Sequence, residues 1–403
     1  MGCLSSIFVS KLIQRHDNRA WQPCSASRED SRREPATGAL EKGTSLLISN
    51  SALGRKLALI ALAATLLVLA GCASGQSDQD QGAAKQSIAE KKDTPPKKPP
   101  PAPEPAEASP LEKEPAGKVI DIGGSPEGIA ADPETGLVAV GLRNPDELAL
   151  VDGESGEVLR RVELPDSARH LQIAGPGGPV LVPAERADAL VQVGLPDGEI
   201  VSETPVGDFP HDAAASGGRV FVANEFANTA SVIEDGRETE KIETPLQPGG
   251  VAATPDGLVG IVGVRGLTLE VFEADTLKSL GRMDAGEGPT HVVAGPEDRF
   301  YVTDTRGDAV LVYGARPELE QLDRVSLPGS PYGIAIDSER DRLWVTLTAT
   351  NRVVQYALES GAPREIASYP TVRRPKSVTV NPASGRVFIA GGADGELQIL
   401  DPR

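Results

Sequence analysis

The 403-residue chain has only three cysteines, Cys3, Cys24 and Cys72, so everything after residue 72 is free of thiols. No disulfide framework, thiolate metal site or cysteine nucleophile can lie there. Helical periodicity is nearly absent after residue 118, and 43 Gly with 34 Pro fit many tight turns rather than helices. No apolar run reaches the roughly 20 residues that a helix needs to cross a bilayer. The longest, Leu57 to Ala70, has 14. Residues 118–403 also lack a Gly-rich phosphate loop, a Gly-x-Ser-x-Gly elbow, a His-Glu-x-x-His pair and an EF-hand. Basic charge is short as well: these residues carry 25 Lys and Arg against 45 Asp and Glu, while the first 117 carry 15 and 13. A body that acidic repels phosphate backbones, so nucleic acid is not an expected partner.

What the chain does have is a repeat. From Gly329 to Tyr356 a turn (Ser330-Pro331-Tyr332-Gly333) leads into an alternating run at Ile334 and Ile336. A polar turn, a second run at Leu343 and Val345, another turn at Thr350-Asn351 and a third run ending at Tyr356 follow. The same phrase opens at Pro126, Ala168, Pro210, Pro248, Pro289, Pro331 and Pro375, in steps of 42, 42, 38, 41, 42 and 44 residues. A period near forty with four strands per unit predicts an all-β, seven-bladed β-propeller over 118–403. In the first unit the strands a to d are expected at Gly128–Ala131, Leu137–Val140, Leu148–Val151 and Val158–Val162.

The seventh repeat runs out after its c strand, Leu397–Leu400. Lys118–Gly123, which precedes the first repeat and alternates like a d strand, is expected to complete that blade. Such a closure seals the ring, removes two open sheet edges and suits a monomer.

Residues 1–52 show no periodic apolar pattern and read as an extension upstream of an over-early start or as disordered chain. Arg55-Lys56, the apolar run and Leu69-Ala70-Gly71-Cys72 together form a secretory signal over 53–71. The last four residues resemble the lipobox of bacterial lipoproteins, which implies lipidation of Cys72, membrane attachment through it and an extracytoplasmic propeller. From 72 to 117 the chain is mostly Ala, Pro, Lys and Glu, a composition that predicts a disordered, extended linker.

Within the repeats, Pro-x-Gly-Ile-Ala, an Arg-x-Tyr/Phe/Trp-Val-Thr/Ala strand and Val-x-Val/Tyr resemble the YVTN-type (YncE-like) seven-bladed propellers of cell-surface and periplasmic proteins. Phe300 to Val310 is the closest copy. The resemblance implies a binding or scaffolding module for a protein or a cell-wall glycan. Similar scaffolds serve as lactonases and a streptogramin-cleaving lyase, so a metal-assisted hydrolase or lyase is the alternative.

Two groups of residues are candidates for a site on the face where the d-to-a and b-to-c turns open around the channel. His170, His211 and His291 sit at the d-to-a corner, with Asp212 and Glu127 beside them. They are compatible with a divalent metal or a general base, and equally with simple capping of strand starts. Arg143, Arg186, Arg265 and Arg306 share one b-to-c position, which Phe226 takes in the third blade, and Arg373, Arg374 and Lys376 lead into the seventh. Such a ring would hold a carboxylated or phosphorylated ligand such as an acidic peptide, or only shape its hairpins.

Overall fold

The computed structural model describes residues 98–402 except 108 and 359–361. The expected signal segment, Cys72 and the linker as far as residue 97 lie outside the described residues. Seven four-stranded antiparallel sheets are arranged as blades, six of them simple meanders and the seventh completed by the N-terminal strand. The first blade uses Ser125–Ala131, Leu137–Arg143, Glu147–Asp152 and Val158–Glu163, within a few residues of the expected spans. The ring closes as the sequence requires: Lys118–Asp121 pairs antiparallel with Glu396–Leu400, Lys118 opposite Ile399 and Asp121 opposite Glu396.

Burial follows position within the blade. Strands b and c are almost wholly buried, whereas outer strands such as Arg237–Glu243 are exposed and charged. The core therefore lies between blades. Trp344 packs with Val380, Val387 and Ile389 across blades six and seven, and Ile122, Phe388, Leu397 and Ile399 pack with Val140 and Val151 across the closure. Each such side chain contributes about 1.5–3 kcal/mol by leaving water.

One local device fixes the upper face. Two residues past the shared arginine position, Asp188, Asn228, Asp308 and Asn351 adopt a left-handed backbone, φ 48–56°. Asn and Asp tolerate that region better than other side chains. Their side-chain oxygens accept N–H bonds from Phe209, Gln247, Ser330 and Arg374, each the residue just before the next repeat's proline. The turn of one blade thus pins the inner strand of the next. At Gly333 a Cβ would meet the Lys376 carbonyl at 2.6 Å, so glycine lets adjacent inner strands approach.

The linker expectation needs one correction. Residues 98–107 and 109–117 lie against the propeller: Pro103 and Pro105 are buried, and Ala102 packs on the core shared by blades four and five. Proline composition signals extension, but an extended chain can still be held where a surface supplies donors and apolar contacts.

Candidate functional site

The first two residues after each repeat's opening position make up two sets, an outer one and an inner one most of whose members line the central cavity. The outer set is Glu127, Arg169, His211, Gly249, Thr290, Tyr332 and Lys376, and the inner one is Gly128, His170, Asp212, Gly250, His291, Gly333 and Ser377. That cavity, of about 310 Å³, continues along the axis, walled by inner-strand residues such as Ile129, Ile173, Val292 and Ile334.

The three expected histidines do converge. His170 and His291 come from the non-adjacent blades two and five, yet their Nε2 atoms are 3.1 Å apart, and the His211 ring lies 4.9 Å from that of His170. The Tyr332 carbonyl lies 2.7 Å from His291 Nδ1. A carbonyl can only accept, so Nδ1 carries the proton and Nε2 of the neutral ring is left as the acceptor for His170 Nε2–H. Burial pulls the His291 pKa down to about 4 and, with the neighbouring rings, lowers His170 well below its ordinary value. Both are therefore neutral at physiological pH, linked into a chain that crosses the axis.

Asp212 is not turned toward this pair as a ligand. Its carboxylate accepts the Val251 and Ala213 N–H groups and the Gln172 amide. Burial nevertheless pushes it up to about 6, against those three donors. Among the described residues no group of three or more His, Cys, Asp or Glu has the arrangement to hold a metal ion.

Above the histidines runs a continuous set of ion pairs. Lys376 Nζ meets Glu127 Oε1, Arg143 lies 3.5 Å from Glu127 and bonds to Glu185, and Arg169 lies 3.3 Å from Glu185. His211 Nδ1 stands 3.6 Å from Glu185 and 3.1 Å from Glu225. Arg169 Nε, Glu185 Oε1 and His211 Nδ1 are in ion-pair range of a partner without hydrogen-bond geometry. Burial lowers the Lys376 ammonium pKa, with Glu127 offsetting part of that; burial raises Glu225, but His211, Gln247 and Arg169 together outweigh it and hold the carboxyl below its ordinary value.

The basic residues singled out in the sequence have divided roles. Arg143 and Lys376 belong to this network. Arg186 is taken up by Asp166 and Arg373 by Asp394, so both brace their own corners. The Arg374 main-chain N–H is held by Asn351. Phe226 is 55% exposed and stacks on Phe209 with ring centroids 4.6 Å apart.

Arg265 and Arg306 do something different. Arg265 Nε donates to the Pro100 carbonyl at 3.1 Å and Arg306 to the Pro101 carbonyl at 2.9 Å. Glu104 then faces Arg169 at 3.5 Å, Ala106 N–H donates to Thr348 Oγ1, and Asn351 donates to the Ser109 carbonyl. One extended segment is held by blades two, four, five and six.

Arg169, Glu185, Glu225 and Tyr332 were not singled out by the sequence. Aligning the column one residue past each repeat's opening would have found Arg169 and Tyr332, since only that column collects Glu, Arg, His, Tyr and Lys. Nothing local marks Glu185, which sits in a short 3-10 turn found, among the described residues, only in blade two.

No family model matches this chain, and no curated protein matches it. Solved structures do. Hydrazine synthase from Kuenenia stuttgartiensis is 16% identical with a TM-score of 0.61, covering 69% of this chain and 96% of that one. A catalytically inactive virginiamycin B lyase from Staphylococcus aureus, solved with quinupristin, is 16% identical with a TM-score of 0.59, covering 71% and 99%. The Cps50 (Swd1) β-propeller domain of Myceliophteria thermophila is 11% identical with a TM-score of 0.61, covering 71% and 100%. At these identities the likeness is one of fold, shared by a lyase and by other kinds of propeller.

Proposed function

We propose that this chain is an extracytoplasmic, lipid-anchored propeller of the YVTN type that works as a binding or scaffolding module. The working surface is the face around the channel mouth. One observation carries this: that face already holds an extended peptide, residues 98–111, through side chains of four blades. The recurring repeat phrase supports the YVTN assignment, and Leu69-Ala70-Gly71-Cys72 after an apolar run supports attachment through Cys72. The wild-type protein is expected in the membrane fraction and Cys72→Ala in the soluble one; equal membrane recovery of the two would remove the anchor from this reading.

A second reading, a hydrolase or lyase with or without a divalent metal, is favoured by the convergence of His170, His211 and His291 over a cavity. Neutral His291 offers no proton at Nε2, and the pair spends its hydrogen-bonding capacity on itself, which leans toward a structural plug. Incubating the full-length protein with quinupristin and following its mass separates the two. The module reading expects no turnover, and turnover lost in His291→Ala would replace it with the enzyme.

A further inference from the structure

We infer that the mouth face recognises an extended, proline-rich peptide bearing a carboxylate, supplied by a partner protein, and that residues 98–111 are its built-in competitor. The inference rests on the reading of this protein as a binding module and names the class of partner.

The chemistry of the seated segment defines that class. Proline has no N–H, so a proline run presents main-chain acceptors only, in a preformed left-handed helix of three residues per turn that loses little entropy on binding. The face meets it with donors: Arg265 and Arg306 reach successive carbonyls of Pro100 and Pro101 at 3.1 and 2.9 Å. Pro103 and Pro105 then turn inward and are buried, while Glu104 between them points its carboxylate at Arg169. Arg169 lies within ion-pair range of both Glu185 and Glu104, so a peptide carboxylate at that point extends the charge network instead of leaving it open. The N–H of Ala106, just after Pro105, is met by an acceptor, Thr348 Oγ1, and Asn351 donates to the Ser109 carbonyl beyond it. Side-chain donors thus face three of the segment's carbonyls and a side-chain acceptor faces one of its N–H groups.

The seated segment is also well placed to be displaced. Its polar contacts are single bonds at partly exposed groups, each worth on the order of 1 kcal/mol. It is held by attachment, since a short tether gives an effective concentration in the millimolar range. A partner peptide that fits better, or is itself multivalent, can exchange with it.

The test uses the full-length chain and a variant in which residues 99–107 are replaced by Gly and Ser at equal length, with melting curves to show that both are folded. The probe is a synthetic peptide with the sequence of residues 96–112, fluorescently labelled. The peptide should bind the replaced chain at least about tenfold more tightly than the unaltered one, because the tether no longer competes. Arg265→Ala with Arg306→Ala in the replaced chain should weaken binding at least about tenfold, the loss of two hydrogen bonds. A folded replaced chain that refuses the peptide, or both chains binding it equally, overturns the inference. That failure would leave the expected membrane recovery and the expected lack of quinupristin turnover untouched, so it is distinguishable from failure of the module reading.

Discussion

Replacing Ile122 by Asp should abolish the folded propeller. Ile122 is fully buried, and its N–H donates to the Gly395 carbonyl just beyond the last paired residues of the closing strand. Its side chain fills the cluster formed by Phe388, Ala390, Leu397 and Ile399 of the last blade with Val138 and Val140 of the first. Losing that burial costs about 2–3 kcal/mol, and placing an unpaired carboxyl there costs several more, either as charge or as the work of protonating it. Together these approach the roughly 5–15 kcal/mol that keeps a domain folded. An unsealed ring would also leave two sheet edges open to association. Val119→Asp, on the closing strand just before Ile122 but 36% exposed, is the control and should stay within about 0.5 kcal/mol of wild type. Size exclusion and urea melts read both; if the two variants melt alike, the N-terminal strand does not close the ring.

The second large effect is in the dependence of stability on pH. Unfolded, His291 binds a proton below about pH 6.5; folded, it does so only near 4, because burial disfavours the charge. Its contribution is therefore full above pH 6.5 and is lost as the pH falls toward 4, a change of about 3 kcal/mol at 1.36 kcal/mol per unit. His170 shifts in the same direction. Asp212 works the other way: raised from 3.8 to about 6, it favours the fold at low pH, and that contribution is lost as the pH rises through 6. The single carboxyl and one histidine nearly offset each other, so the second histidine decides the sign, and this site loses stability on acidification. His291→Gln isolates the effect. The stability gap between wild type and variant should shrink by about 3 kcal/mol from pH 7 to pH 4. A gap that stays constant across that range would mean that the His170–His291 pair is not held neutral.

Much of this architecture is legible in the sequence because it is written seven times. A pattern such as Pro-x-Gly-Ile-Ala is ambiguous once, but its recurrence fixes the inner strands, and the Asp and Asn two residues past the arginine position mark turns that need a left-handed backbone. The closing strand is legible because Leu397–Leu400 lacks a partner and Lys118–Gly123 has the matching alternation. The site is legible only in part. Periodicity assigns residues to blades, but it does not give the width of the channel, so contact between His170 and His291 across the axis needs coordinates. Equivalent positions also hide different roles. Arg186 and Arg306 share a place in their repeats, yet a buried Asp166 claims the first and a proline carbonyl the second. The segment from Pro99 to Ser109 shows the limit most clearly. Its composition dictates extension, and extension without side-chain periodicity carries no sign of what it touches.

The most direct test of a peptide-holding face is proximity within the folded chain. With Cys3, Cys24 and Cys72 changed to Ser, Ala106→Cys and Ala349→Cys place two thiols where the segment crosses blade six, beside the Thr348 and Ala349 contacts. Pairing Ala106→Cys with Leu159→Cys on the exposed outer strand of blade one gives the control. A short bismaleimide should link the first pair within one chain and leave the second unlinked; equal linking of both pairs, or of neither, would contradict the account.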